Sequence, residues 1–323
     1  MAVEKQEHLQ NVLESHRMAH IDDLLTKYKA KRDVVKEALE EKYTSNIYTP
    51  LNSGSYSKST AINSKFDLDI VIPFKRDSFE SLEAMYNDIY EFLFEKYRTE
   101  ATVRKQKVSI GIEFYPDKEN DVINLDIVPG RELNQDQYPD DKHINLYVNS
   151  KYGFIAEKTY IQTNIQAQID HIKSKEDERK IIRLLKIWKN SNSEPYKSFL
   201  IELITIKAFD KTYISGNLWE KLKAVMEYVK ENVTKEGFKL TDPGNSNNDV
   251  MNTIESYERS NLSSRMDTIV KRIEENSDNI KIYFPTNEKF EVKKSSQNSY
   301  GIKGAVITPS IPSNNQRFGH NGI

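Results

Sequence analysis

Two carboxylates stand close together in an otherwise apolar stretch of the sequence. Asp67 and Asp69 alternate with apolar residues between Phe66 and Ile72, and this period of two predicts a strand with both carboxylates on the same face. Like charges at this spacing repel each other, and one of them would take up a proton unless a cation lay between them. A hard divalent cation with oxygen ligands, above all Mg²⁺, suits the pair, so the stretch predicts a metal site.

A turn of small residues precedes this strand. Gly54 allows the backbone to approach a ligand closely, and Ser55 can donate its hydroxyl. The polar stretch 56–65 is long enough for a turn or two of helix, whose first N–H groups would point at the same ligand and favour an anion. A phosphate-binding turn followed by a metal-binding carboxylate pair indicates nucleotide chemistry.

A third carboxylate, Asp126, lies inside another apolar strand. Residues 108–114 and 122–129 alternate in the same way around a polar turn at 116–121, which predicts a β-hairpin. Each carboxylate alone would also suit the exposed face of a half-buried strand. Because Asp69 and Asp126 are both followed by Ile and Val, downstream of a Gly-Ser turn, the joint pattern predicts that the three carboxylates act at one site.

The second half of the chain has mostly helical periodicity. Residues 176–190 predict an amphipathic helix in which Arg183 and Lys186, three positions apart, project from neighbouring positions. After a polar break, Ser198 and Phe199 open another helix. The basic pair, the hydroxyl and the ring could hold a triphosphate and stack a base; a solvated helix face and a core phenylalanine are the alternative.

Composition limits the class of protein. The 323 residues are 30% charged and 37% hydrophobic with 11 Gly and 10 Pro, which predicts an ordered, helix-rich chain of one large domain or two lobes. The net charge of −2 argues against a protein that coats nucleic acid. The absence of cysteine excludes disulfides and Cys-ligated zinc. No apolar signal region or membrane-spanning run is present, so we expect a soluble, cytoplasmic protein without membrane contact.

The remaining patterns set the expected domain organisation. Residues 4–43 predict one or two long helices, and residues 79–98 predict an amphipathic helix. We expect an N-terminal helix and a catalytic core in residues 1–155 and a helical lobe that completes the cleft in residues 156–295. Ser, Asn, Gly and Pro accumulate beyond this lobe, and residues 296–323 predict a flexible tail.

The ordered set of site residues resembles a known superfamily. Gly54-Ser55, Asp67-Leu-Asp69 and Asp126 resemble the signature of the polymerase-beta-like nucleotidyltransferases. The resemblance implies an α+β fold, in which a core of mixed sheet and helices joins a helical C-terminal lobe in a bilobed molecule with a long N-terminal helix.

The second half narrows the resemblance. Segments 183–188 (Arg-Leu-Leu-Lys-Ile-Trp) and 198–203 (Ser-Phe-Leu-Ile-Glu-Leu) resemble helices of oligoadenylate synthase, cGAS and the bacterial cGAS/DncV-like nucleotidyltransferases. The polar loop 242–248 is similar to one in the bacterial members. Phe199 is a departure, since the family often has Tyr there, and stacking is kept while a hydroxyl is lost. The resemblance spans about residues 44–290.

The resemblance implies an enzyme that makes cyclic di- or trinucleotide messengers from ribonucleoside triphosphates in bacterial anti-phage (CBASS) signalling, with release of pyrophosphate. It also implies a downstream effector that the cyclic nucleotide activates. Two Mg²⁺ ions, for which Mn²⁺ could substitute, are expected: one held by Asp67 and Asp69 on the triphosphate, the other held by all three carboxylates on the acceptor hydroxyl. The expected catalytic and metal-binding residues are Asp67, Asp69 and Asp126. The expected nucleotide-binding residues are Gly54, Ser55, Lys186, Ser198 and Phe199, with Arg183 supporting Lys186 or the phosphates.

Two other functions share parts of this pattern. A terminal nucleotidyltransferase acting on RNA, tRNA or a protein would use the whole catalytic set, although the near-neutral charge does not favour a large nucleic-acid acceptor. A non-catalytic scaffold on the same fold is the other alternative. DNA sensing in the manner of cGAS is not expected, because no cysteine is available for a zinc element. Conjugation of the C-terminus by a ubiquitin-transfer-like partner is a further option, although the terminal Ile323 is not the small residue that such conjugation favours.

Overall fold

The computed structural model describes residues 3–149 and 159–291 of the chain. The predicted tail, residues 296–323, and with it the proposed conjugation site, lie outside the described residues. Within the described ranges, no helix combines the length and the apolar composition needed to cross a membrane.

Two helices form the N-terminal segment, as the sequence predicts. Helix α1 (Lys5–Ser15) begins at Glu4, whose carboxylate accepts hydrogen bonds from the first free N–H groups. A short 3₁₀ turn (Met18–Ile21) separates it from the long helix α2 (Asp22–Tyr43). Because the turn redirects the chain, α1 and α2 bury their apolar side chains in different hydrophobic cores.

A seven-stranded mixed sheet forms the first half of the molecule. Its strands are β1 (Leu51–Ser53), β2 (Leu68–Phe74), β3 (Ala101–Lys105), β4 (Ile110–Phe114), β5 (Ile123–Glu132), β6 (Ile144–Tyr147) and β7 (Tyr160–Thr163). The order is β1-β2-β5-β4-β3, and β6 pairs with the last residues of β5 and with β7. Strands β2 and β5 are parallel, whereas the other paired strands of this sheet are antiparallel. The mixed sheet agrees with the predicted α+β class.

Helices cover one face of this sheet. Helix α4 (Leu82–Tyr97) begins after Ser81, whose hydroxyl caps it, and packs with α2 on the central strands. The alternating pattern of β2 is confirmed, since its residues Leu68, Ile70 and Ile72 enter this core. The carboxylate of Asp69 in the same strand is therefore left on the opposite face.

The second half is helical and has its own core. Its longer helices are α6 (Ile165–Asp170), α7 (Glu176–Ser191), α8 (Ser198–Lys211), α9 (Leu218–Asn232) and α10 (Ser256–Glu275). Leu9 and Val12 of α1 pack into this core beside Trp188. The packing thus assigns α1 to the helical half, although it comes first in the chain, and the domain limits at 155 and 295 stay a prediction.

Several short elements complete the fold. Besides β3, β6 and β7, they are the helices α3 (Gly54–Ser57), α5 (Tyr138–Asp141) and α11 (Ile280–Tyr283) and the hairpin of β8 (Thr241–Asp242) and β9 (Asn245–Asp249). The hairpin falls in the loop predicted at 242–248. The buried carboxylate of Asp242 holds it by accepting hydrogen bonds from Gln168, from the Gly244 N–H and from Asn248, at 2.8–3.1 Å. Side-chain hydrogen bonds, and not an apolar pattern, stabilise this hairpin.

Candidate active site

The three predicted carboxylates lie on one face of the sheet. Asp69 of β2 and Asp126 of β5 are direct partners across the parallel strand pair, so their side chains project side by side. Asp67 comes immediately before β2, two residues ahead of Asp69, and its charge influences both of the others. The structure therefore brings together residues from two separate strands, as the alternation in the sequence predicts.

The electrostatics of this cluster show how closely the charges are held. Burial, together with the negative charges of Asp67 and Asp126, raises the pKa of Asp69 to about 7. Burial also raises the pKa of Asp126 to about 6, with Asp67 contributing. Carboxylates that repel each other in this way form a set of oxygen ligands suited to a hard divalent cation.

The Gly-Ser turn lies directly against the carboxylates. Ser53, the last residue of β1, pairs with Asp69, and α3 begins at the next residue. Gly54 has a φ of +69°, and a Cβ atom there would come within 1.6 Å of Asp69 Oδ2. Both the backbone angle and the contact require glycine. The Ser55 hydroxyl has no hydrogen-bond partner in the described part of the chain and faces no internal competition for a ligand.

Gln106 orients Asp126, a role that the sequence did not reveal. Its amide nitrogen donates to Asp126 Oδ1 at 3.0 Å, while its amide oxygen accepts from the Ser109 hydroxyl at 2.7 Å. Gly111 of β4 lies across from Asp126 and leaves the space that Gln106 fills, since a Cβ atom at Gly111 would come within 2.4 Å of Gln106 Nε2. Oδ1 of Asp126 is thus occupied and fixed in orientation.

Lys186 lies close to the carboxylates, as predicted. Its position on α7 is buried, and its ammonium group donates to the carbonyl oxygen of Thr60 at 2.8 Å. Burial lowers the pKa of Lys186 to about 8, while the charges of Glu202 and Asp67 oppose that shift. Because the charge of Lys186 in turn lowers the pKa of Asp69, the lysine is a cation within reach of the same cluster.

Lys58 is a second buried cation at this site, and the sequence analysis missed it. Its ammonium group donates to Glu202 of α8 at 2.8 Å and lies 4.7 Å from the centroid of the Phe199 ring. Both members of the ion pair are buried. The segment after the Gly-Ser turn is therefore attached to the helical half by two lysines, through Lys58 to Glu202 and through Thr60 to Lys186.

Ser198 and Phe199 open α8 at the same cleft. The Ser198 hydroxyl accepts a hydrogen bond from the ammonium group of Lys189 at 3.1 Å. Phe199 is half-buried against the helical core, and Lys58 covers one side of its ring.

Arg183 does not accompany Lys186. Its side chain lines a cavity formed by α1, α7 and the start of α9, together with Gln10, Arg17 and Lys221. Although Arg183 and Lys186 lie three residues apart on α7, they face different surroundings. The predicted role of Arg183 at the triphosphate has no support from its placement.

Another acidic cluster lies away from this site, at the turn between β4 and β5. Asp117, Glu119 and Asp121 come together there around the ammonium group of Lys27, which donates to all three. The ammonium group of Lys27 therefore already lies among these carboxylates and offsets part of their charge. Its members are not partners of the carboxylates on β2 and β5.

Comparisons with known proteins agree with this geometry. No family model matches the chain. It is 25% identical over 240 residues to the CBASS oligonucleotide cyclase CdnC of Escherichia coli (strain KTE188), which covers 71% of this chain and 69% of that protein. The solved structure of E. coli MS115-1 CdnC with ATP superposes with a TM-score of 0.65 at 19% identity, covering 88% of this chain and 94% of that one.

A third likeness is to the cyclic AMP-GMP synthase DncV of Vibrio cholerae in complex with the linear intermediate 5′ pppA(3′,5′)pG. The TM-score is 0.58 at 14% identity, over 74% of this chain and 70% of that one. The mixed sheet, the paired carboxylates and the adjacent Gly-Ser turn are typical of the polymerase-beta-like nucleotidyltransferase fold. The chain is similar in sequence and in fold to the oligonucleotide cyclase CdnC, and in fold to DncV.

Proposed function

We propose that the chain joins ribonucleoside triphosphates into a cyclic di- or trinucleotide messenger that serves CBASS anti-phage signalling. The observation that carries this proposal is the direct pairing of Asp69 with Asp126, with Asp67 beside them and Gly54 against Asp69. The relatives add support, since one is an oligonucleotide cyclase and another is a cyclic AMP-GMP synthase in complex with a linear intermediate.

The carboxylates would hold divalent cations. The fit rests on their chemistry: hard oxygen ligands on one face, two of them with a raised pKa because of burial and mutual repulsion. Mg²⁺ bound to Asp67, Asp69 and Asp126, or Mn²⁺ in its place, would neutralise the triphosphate and make the acceptor hydroxyl more acidic.

The chain's own residues would place the triphosphate. The backbone at Gly54 and the Ser55 hydroxyl lie next to Asp69, where the terminal phosphates would contact them. Lys186 would balance the phosphate charge from α7. Phe199 would stack on a base with the side of its ring that Lys58 does not cover, a contact worth about 1–3 kcal/mol and largely independent of base identity.

Asp126 would receive the proton of the attacking hydroxyl. Gln106 already donates to its Oδ1, so Oδ2 is the oxygen left to accept from the acceptor hydroxyl. The hydrogen bond keeps the carboxylate in one orientation through both transfers that a cyclic product needs. Between the two transfers the linear intermediate would have to turn over in the cleft.

The experiment is incubation of the full chain with the four labelled ribonucleoside triphosphates and Mg²⁺, followed by phosphatase treatment and mass analysis. Phosphatase-resistant cyclic products are the expected result, and the variant Asp67→Asn/Asp69→Asn should make none. The matched control is Asp117→Asn/Glu119→Gln, which removes two carboxylates from the cluster around Lys27 and should leave synthesis intact.

Two outcomes would contradict the proposal. Products that form only on added RNA would favour the terminal nucleotidyltransferase. A folded chain that binds ATP and releases no pyrophosphate with any mixture of nucleotides would favour the non-catalytic scaffold. Which bases are joined, and whether an effector responds to the product, would follow from the identified compound.

A further inference from the structure

A cavity of about 560 Å³ lies between α1, α7 and the beginning of α9, apart from the three carboxylates. Its polar and charged lining includes Gln6, Gln10, Glu14, Arg17, Asp177, Lys180, Arg183, Asn217 and Lys221. Cavities of this size commonly hold small molecules in proteins. None of the carboxylates at the proposed active site lines it.

The lining carries more positive than negative charge. Four of its side chains are cationic and two are anionic, which leaves an excess of two positive charges. Arg17 forms an ion pair with Glu14 at 3.0 Å. The carboxylate of Asp177 forms ion pairs with Lys221, at 2.5 Å, and with Lys180, at 3.6 Å. The two carboxylates are thus committed to three of the four cations.

Arg183 is the fourth cation of the lining, and neither carboxylate pairs with it. Within the described residues it has no ion pair, and its Nε atom is buried without a hydrogen-bond partner. Burial lowers the pKa of Arg183, and the nearby charges of Arg179 and Arg17 lower it further. A guanidinium group stays charged in proteins, so this arrangement is costly unless an anion compensates it.

We propose that this cavity binds a small phosphate-bearing anion, with Arg183 as its principal contact. The planar guanidinium group can donate two parallel hydrogen bonds to a phosphate, and such charge-assisted bonds are the strong ones. Lys180 and Lys221 lie on the same wall and can add charge. The concave shape and limited volume select a small molecule over a nucleic-acid backbone.

The site is separate from the proposed catalytic cleft. Lys186, one turn further along α7, is directed to Thr60 and the carboxylates, whereas Arg183 is directed into the cavity. Binding here does not depend on the enzymatic reaction. A binding measurement can therefore fail or succeed independently of any test for cyclic products.

The test is calorimetric titration of the full chain with inorganic pyrophosphate in the presence of EDTA. Without divalent cations, the carboxylates of the cleft should repel the probe. We expect saturable binding to one site, with affinity reduced tenfold or more in Arg183→Gln because a charged hydrogen bond is lost. Arg183→Lys should recover part of it. The matched control Arg98→Gln removes an exposed arginine directly after α4 and should bind as the unchanged chain does.

The double variant Asp67→Asn/Asp69→Asn separates the two sites. Its affinity at the cavity should be unchanged, because the cavity contains neither residue, and any weaker site opened in the cleft by loss of the repelling carboxylates should persist when Arg183→Gln is added. Equal affinity in Arg183→Gln and the unchanged chain, or binding without saturation, would overturn the proposal. So would a variant Arg183→Gln that binds pyrophosphate normally but has a higher KM for ATP, since Arg183 would then serve the substrate. Loss of binding to double-stranded RNA alone would identify a nucleic-acid surface instead.

Discussion

The ammonium group of Lys58 and the carboxylate of Glu202 form a buried ion pair at 2.8 Å between the Gly-Ser turn region and helix α8. Lys58 follows α3 directly, and Glu202 lies one turn into α8, three residues after Phe199. The pair therefore sets the distance between the Gly-Ser turn and the Phe199 ring. Since Lys186 bonds to Thr60 in the same segment, the two halves of the molecule meet through cations.

The effects of substituting Lys58 and Glu202 on the free energy of unfolding should be strongly non-additive. Lys58→Met would leave Glu202 charged, buried and without its partner, at a cost of about 3–5 kcal/mol. The double variant Lys58→Met/Glu202→Met should recover most of that loss, because both charges are removed together. Guanidinium unfolding of the two single variants and the double variant measures the coupling. Costs that simply add would show that the two side chains do not interact.

Substitution of Gly54 should abolish most activity, whereas substitution of Gly237 should not, although the two glycines have similar backbone angles. Gly54→Ala would drive a Cβ atom into Asp69 Oδ2 and displace the carboxylate, so synthesis should fall by about 100-fold. Gly237, with a φ of +73° and no atom within 4 Å of its would-be Cβ, is the matched control. Gly237→Ala should cost roughly 1–2 kcal/mol of stability, because its backbone is left-handed, without loss of activity. Initial rates and unfolding curves of both variants test this, and equal losses of activity would contradict it.

The raised pKa of Asp69 predicts that its charge destabilises the fold when no cation is bound. The native state holds the proton up to about pH 7, whereas an unfolded aspartate releases it near pH 3.8. Stability should therefore decrease as the pH rises through this interval, and it should stay lower above it. In EDTA above pH 7, Asp69→Asn should melt a few degrees higher than the unchanged chain, and this advantage should vanish near pH 4.

Magnesium should reverse the order of these melting temperatures. Millimolar Mg²⁺ is expected to raise the melting temperature of the unchanged chain and to have little effect on Asp69→Asn, because the variant has lost a ligand. Glu236→Gln, which changes an exposed acidic residue in a loop, is the control and should respond as the unchanged chain does. A melting temperature that is indifferent to Mg²⁺ in every variant would contradict a metal site at these carboxylates.

The lowered pKa of Lys186 predicts that enzymatic activity falls at alkaline pH. Burial lowers its pKa to about 8, so the free enzyme loses this positive charge as the pH rises through that value. kcat/KM for the nucleotide should then decrease about tenfold per pH unit above 8, since this parameter reports ionisations of the free enzyme. Lys186→Arg keeps its charge and should remove this limb of the profile. Pyrophosphate release between pH 6.5 and 9.5 measures both, and an unchanged limb in Lys186→Arg would exclude Lys186 as its source.

The alternation of residue types predicts much of the catalytic face from the sequence. Asp67 and Asp69 stand out because period-two alternation places them opposite a row of apolar residues, and burying those residues fixes which way the carboxylates face. The same argument applies to Asp126. Helix α7 is likewise predicted, because an apolar stripe of helical period must be buried.

Such local patterns do not predict contacts between segments that are distant in the sequence. Gln106 lies in a loop and Lys58 in a polar turn, and nothing in their neighbourhood distinguishes them from exposed side chains. Only the closed fold shows that Gln106 fills the space above Gly111 and that Lys58 reaches Glu202. Arg183 shows the converse, since its spacing from Lys186 suggested a shared role and the packing of α1 placed it in another cavity.

The sequence by itself determined which apolar residues would be buried and which side of a strand the carboxylates would take, because local periodicity decides which side of an element faces the core. The tertiary structure decided the neighbours: that β5 pairs in parallel with β2, that α1 joins the helical half, and which cation meets which carboxylate. These choices depend on loop closure and on packing between elements far apart in the chain. Local residue patterns do not encode them.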